Sequence, residues 1–234
     1  MVSGGRMTER VDIYRQELDE INRLCEEGQS GEAWEHCKSI EKQAEEAGAS
    51  EFALFFRGEA DALMGDVRRG AKLQERAVHE IGPIPFMLGN CAVLLSMAGK
   101  PKNAVVMLDQ VLERERDNLQ ALGQKGVSLA KMGYDEQALE CFDRILELDP
   151  GQHHALRNRA VSLSRLGQEK DALRIFEEVL AENPADAHAR SERTILLDEI
   201  ELRGTPLGWL LLWIRKRLAP MLLRVRYRWE PETS

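Results

Sequence analysis

The chain has 234 residues, of which 31% are charged and 6% aromatic, and a formal net charge of −8. That length is long for one globular core and natural for a stacked array of small units. The negative balance disfavours nucleic-acid binding by the whole surface, because neutralising phosphates needs clustered Lys and Arg.

Residues 1–10 are polar and Gly-containing, with no apolar core of a secretory signal, and are expected to be a flexible N-terminus. Met7 is an alternative start. From there a register appears. Gly65, Gly99, Gly133 and Gly167 stand 34 residues apart, and Gly28 lies 37 before Gly65. Five residues after each glycine comes a tiny side chain: Ala33, Gly70, Ala104, Ala138 and Ala172. Seven before each come Ile21, Gly58, Ala92, Gly126 and Ala160, small in the last four. Five copies of helix, tight turn, helix explain these types. The glycine stops the first helix where φ > 0 is often needed. The tiny residues let paired helices cross closely.

Copies are expected near residues 14–50, 51–84, 85–118, 119–152 and 153–186, within an array spanning 11–186. The first is recognisable mainly by Gly28, Ala33 and the stripe Leu18, Ile21, Leu24 and Cys25. The second places Asp61 and Gln74 where apolar residues are usual, and the third has Arg116 where proline is expected. The fourth and fifth are regular. Leu122, Leu129, Phe142 and Ile145 line one, and Leu156, Leu163, Phe176 and Val179 the other. Asp149-Pro150 and Asn183-Pro184 end their second helices. Residues 187–203 read as one further helix that caps the apolar end of the array, with Ile195, Leu196 and Ile200 inward and Glu192, Asp198 and Glu199 toward water.

Residues 122–150 and 156–184 closely resemble tetratricopeptide repeats: large, small, large residues in the first helix (Leu122, Gly126, Leu129; Leu156, Ala160, Leu163), then Ala138, Phe142, Ile145 and Pro150, or Ala172, Phe176, Val179 and Pro184. The expected fold is therefore all-α, an α-solenoid of about five such hairpins with a capping helix and an amphipathic tail helix. The resemblance implies a concave groove lined by first helices, in which an extended peptide or partner helix lies. At groove-facing positions stand Phe52, Phe55, Glu59, Phe86, Asn90, Val93 and Met97, apolar and aromatic in the main, then Lys131, Arg157 and Arg165, which are basic. The phenylalanines can equally pack between neighbouring helices. The Lys and Asn pair with which some members clamp a chaperone tail is missing, so that ligand is not expected.

The segment 205–229 stands apart. It carries Arg215, Lys216, Arg217, Arg224, Arg226 and Arg228 and no acidic residue, leaving a net −14 for the rest of the chain. Leu and Ile recur along it at helical spacing, Trp209, Trp213 and Trp229 join them, and Pro220 kinks or divides the pattern. Residues 223–229 also alternate as a strand would. A basic amphipathic helix with tryptophans is suited to an anionic membrane interface. Attachment of segment 204–234 to a membrane surface or a partner is the leading reading. Packing on the array, lying in the chain's own groove and homodimerisation are the alternatives.

No nucleophile–base pair, phosphate loop or metal-ligand spacing appears, and adjacent His153 and His154 do not make one. Cys25, Cys37, Cys91 and Cys141 form no C-x-x-C pair and read as buried thiols of a reducing compartment. The expectation is a non-enzymatic, cytoplasmic adaptor that needs no cofactor. Its partner is a protein or peptide rather than nucleic acid, with membrane association and homo-oligomerisation open.

Overall fold

A computed structural model describes residues 3–205, which form eleven α-helices and no strand. They are α1 (Ser3–Glu26), α2 (Ser30–Glu46), α3 (Ser50–Leu63), α4 (Val67–Ile81), α5 (Pro85–Met97), α6 (Pro101–Arg114), α7 (Leu119–Lys131), α8 (Asp135–Leu148), α9 (His153–Arg165), α10 (Glu169–Glu182) and α11 (Ala187–Arg203). Five hairpins and a final helix follow in chain order. The described residues fall into two compact units, one up to Ala155 and one from Leu156.

One local device makes each hairpin. Gly28, Gly65, Gly99, Gly133 and Gly167 have φ between 78° and 90°, a region that costs other residues about 1–2 kcal/mol. The next residue's N–H then reaches back across the helix end. Gln29 N donates to Leu24 O at 2.8 Å, Asp66 N to Asp61 O at 2.9 Å, Lys100 N to Leu95 O at 2.8 Å and Tyr134 N to Leu129 O at 3.0 Å. This is the glycine-ended cap that satisfies otherwise orphaned carbonyls. The second helices stop differently. α2 and α4 are followed by Gly48 (φ 65°) and Gly82 (φ 97°), whereas α8 and α10 end just before Pro150 and Pro184.

In the first unit the small residues sit where hairpin partners cross. Ala33, Ala104 and Ala138 are fully buried. A Cβ added to Gly70 would stand 2.4 Å from Gly58 O, and one added to Gly126 would stand 2.6 Å from the Phe142 ring. The core is continuous from α1 to the start of α7 and richest around an aromatic group. Tyr14 stacks on Phe52 with ring centres 4.3 Å apart, and Phe55 meets Phe56 and Phe86 edge-on at 5.4 and 5.9 Å. Burying each such ring contributes roughly 1.5–3 kcal/mol.

α1 begins at Ser3. One contact secures its early turns. The Arg10 guanidinium donates to Ala47 O at 3.1 Å, tying the early turns of α1 to the end of α2. His36 Nε2 and Glu17 Oε2, 2.8 Å apart, join the same two helices.

In the second unit Ala160, Ala172, Ile175, Phe176 and Val179 are buried between α9 and α10. α11 adds Ala189 and Leu196 to that core, with Ile195 and Ile200 half-buried and Asp198 exposed. Asp186 caps α11, accepting from His188 N at 3.0 Å and Ala189 N at 2.9 Å. It also pairs with Arg157 at 2.8 Å. These bonds hold the Asp186 carboxyl below the usual carboxylate range. The capping helix thus has both a cap and a tether. The proposed tail helix lies outside the described residues.

Candidate binding cleft

A cleft opens in the first unit between α1, α5 and α7, the first helices of three hairpins. α1 contributes Arg15, Leu18, Asp19 and Asn22, and α5 contributes Phe86, Gly89, Asn90 and Val93. The end of α6 and the start of α7 supply Glu115, Asn118, Gln120 and Gln124. Its volume is about 90 Å³, far below the roughly 300–1,000 Å³ of a site that engulfs a small molecule. A cleft of this size receives a side chain or a short run of main chain.

The sequence-based groove residues divide into three sets. Phe86, Asn90 and Val93 line the cleft, half-buried, as a groove requires. Phe52, Phe55 and Glu59 do not: they are 1%, 0% and 8% exposed and belong to the core. The physical reason is α1. At 24 residues it exceeds every other helix among the described residues, and its Tyr14 lies on Phe52 and Phe56. The third set is on the surface but outside the cleft. Met97 is 62% exposed at the end of α5, and Lys131 donates to Ser96 Oγ at 3.1 Å. In the second unit, Arg157 is committed to Asp186 and Arg165 is exposed at the end of α9. The expected basic half is therefore not a free row of cations. Trp209, Trp213, Arg215, Lys216, Arg217, Arg224, Arg226, Arg228 and Trp229 lie outside the described residues.

Beneath the cleft is a buried polar trio that joins α3, α4 and α5. Glu59 Oε2 accepts from Gln74 Nε2 at 2.9 Å and from Asn90 Nδ2 at 2.5 Å. Gln74 is fully buried. Burial pushes the Glu59 carboxyl above the usual range, and the two amide donors oppose that rise. The apolar-to-polar exchange at position 74 supplies, beside Asn90, a second donor to a buried carboxylate. The other irregular residue, Asp61, pairs with Arg69 at 3.1 Å.

The remaining amides are used unequally. Asn118 caps α7, accepting from Ala121 N at 2.9 Å while donating to Glu115 at 2.7 Å. Gln124 Oε1 is buried with no hydrogen-bond partner. Asn22 and Gln120 are exposed. The α1 residues and Gln124 escaped the sequence reading. For Gln124 a signal existed, since it stands 34 residues after Asn90 and so repeats its position.

Among the described residues no group of three or more His, Cys, Asp or Glu comes together as metal ligands do. No described helix is long and apolar enough to cross a membrane. Burial pushes the Cys91 thiol up to about 12 and raises Cys37 further, which makes both poor nucleophiles.

Comparison with known proteins agrees with this architecture. Residues 95–160 and 154–186 match tetratricopeptide repeat families. No curated protein matches the sequence. A tetratricopeptide repeat protein from Parabacteroides merdae ATCC 43184 superposes with a TM-score of 0.63 at 18% identity, covering 93% of this chain and 80% of its own. YrrB, described as a tetratricopeptide repeat protein with an unusual peptide-binding site, gives 0.59 at 20% identity, over 76% of this chain and 90% of its own. MamA from Desulfovibrio magneticus RS-1 gives 0.59 at 19%, over 76% and 97%. At these identities the likeness is one of fold. With its glycine-ended hairpins, its small crossing residues and its two family matches, the chain has the tetratricopeptide-repeat fold, and residues 95–186 carry that family's repeats.

Proposed function

We propose that this protein is a non-enzymatic adaptor that holds a peptide segment of a protein partner in the α1–α5–α7 cleft. The observation that carries the reading is the cleft's composition. Apolar Phe86 and Val93 stand beside the half-buried amide side chains of Asn90 and Gln124. An apolar wall with a few amide groups suits a short run of peptide laid in the cleft. The peptide-binding site described for YrrB supports the reading by analogy of fold. The basic segment 206–229 gives the adaptor a second attachment, to an anionic membrane surface or to a partner.

The test is panning of a random 12-residue phage library on the full chain and on Val93→Arg, which fills the cleft from its half-buried wall. Peptides that bind the native chain and lose at least about tenfold in affinity on Val93→Arg support the cleft, a loss of about 1.4 kcal/mol. Peptides that bind both equally reject it.

A further inference from the structure

The bonding of Asn90 says more about the ligand than the cleft's outline does. A carboxylate can only accept, so Glu59 takes the Nδ2 end of the Asn90 amide, at 2.5 Å. The amide is thereby oriented, and its Oδ1 is the end left over. Asn90 is half-buried and lines the cleft. The Asn90 oxygen is therefore the acceptor that this bond leaves for the cleft. The charges around it have the same preference. Asp19 and Glu115 outnumber Arg15 on the cleft wall.

We propose that the cleft recognises a basic side chain, Lys or Arg, of the bound peptide, and that Glu59 is the positioning residue that sets this preference by holding the Asn90 oxygen outward. The proposal rests on the peptide-binding reading above and adds the chemistry of the ligand. An ammonium or guanidinium brings three or five donors and a charge. A peptide carboxylate brings only acceptors and would meet the Asn90 oxygen and the Asp19 and Glu115 charges unfavourably. Main-chain N–H groups share the donor chemistry but not the charge, so the test must separate the two.

The test uses the full chain and the tightest peptide from the 12-residue library. Each Lys or Arg in it is replaced in turn by norleucine, and each main-chain amide by its N-methyl form. We expect one norleucine replacement to weaken binding by about tenfold or more, the scale of a hydrogen bond to a charged group. In Glu59→Gln the amide at 90 is no longer oriented, because glutamine can donate as well as accept, and the Lys-to-norleucine ratio should fall toward one. Asp19→Asn, at an exposed position on the cleft wall, should lower the same ratio without touching Glu59, which keeps the question answerable if Glu59→Gln folds poorly. Side-chain amide NMR reads the lock without any ligand. The Asn90 Nδ2 protons should exchange slowly in the native chain and quickly in Glu59→Gln.

Three results overturn the proposal. One is a peptide that maps to α5 and α7 yet loses less than about twofold on every norleucine replacement, with the N-methyl forms carrying the loss. Another is selection of acidic residues at the sensitive position. The third is an unchanged ratio in both variants. Peptides whose footprint lies away from α5 and α7 instead reject the cleft itself, and with it this ligand, while the amide exchange still reports whether Glu59 orients Asn90.

Discussion

At the scale of single residues, glycine and polar burial govern the molecule. An alanine in place of a helical glycine gains about 1 kcal/mol of propensity. At Gly70 that gain is outweighed, because the new Cβ would sit 2.4 Å from a backbone carbonyl, Gly58 O. Overpacking costs about 1–3 kcal/mol. Gly70→Ala should lower the melting temperature by several degrees, whereas Gly89→Ala, with nothing within 4 Å of its Cβ, should raise it; calorimetry on the two variants checks the pair. Glu59 gives a pH effect. Its folded pKa is raised, so between the unfolded value near 4.3 and that raised value the folded chain holds a proton the unfolded chain releases. Glu59 therefore makes stability fall as pH rises through that window. Urea midpoints taken from pH 4 upward should show this decline in the native chain relative to Glu59→Gln, the other carboxylates cancelling in the difference. Much at this scale was legible in the sequence. A turn that demands φ > 0 leaves little choice but glycine, so spacing alone located the five turns. The positions of Phe52, Phe55 and Glu59 were not legible, because periodicity tells which face a residue is on and not which neighbour covers that face.

At the scale of elements, the helix ends decide local persistence. α11 depends on Asp186, which both caps it and holds Arg157. Loss of a good N-cap costs about 1 kcal/mol. In Asp186→Ala, amides of the first turns of α11 should exchange with solvent faster, while those of α3 to α5 keep their native rates; an unchanged α11 would mean that Leu196 and Ala189 hold the helix unaided. Cysteine chemistry belongs to this scale too, because helix packing sets it. Cys37 and Cys91 are fully buried with raised pKa values, Cys141 is 7% exposed, and Cys25 alone of the four is half-buried. A thiol reagent at pH 8 should modify Cys25 first and the others only on unfolding, which mass spectrometry with time will show. The capping helix could be read from composition because an array's end must be covered. The length of α1 could not, since Gly4 and Gly5 argue locally against a helix that neighbouring contacts uphold.

At the scale of the whole molecule, charge is divided unevenly along the chain. Residues 206–229 hold six cationic side chains and no anionic one. If the segment attaches to a membrane, vesicles containing anionic lipid should sediment the full chain and leave a chain ending at Thr205 in solution. The difference should shrink as salt rises. Equal sedimentation of both would end that reading. A loss of thermal stability or a change of mass on truncation would favour packing on the array or homodimerisation. The sequence separates this segment from the repeats by composition, yet composition does not name its partner.

Repeats that resemble one another invite a folding error that unrepeated proteins avoid, the pairing of one hairpin with the wrong neighbour. The bond from Asn90 to Glu59 crosses from the third hairpin to the second, whereas Gln74 shares a hairpin with Glu59. Pair the second hairpin with the fourth instead and Gln124, one methylene longer, stands where Asn90 stood. The fit of a short amide to the buried carboxylate would then be lost, and a hydrogen bond to a charged group contributes about 1.5–3 kcal/mol. The second and third hairpins are thus matched to one another by a polar contact as well as by apolar packing.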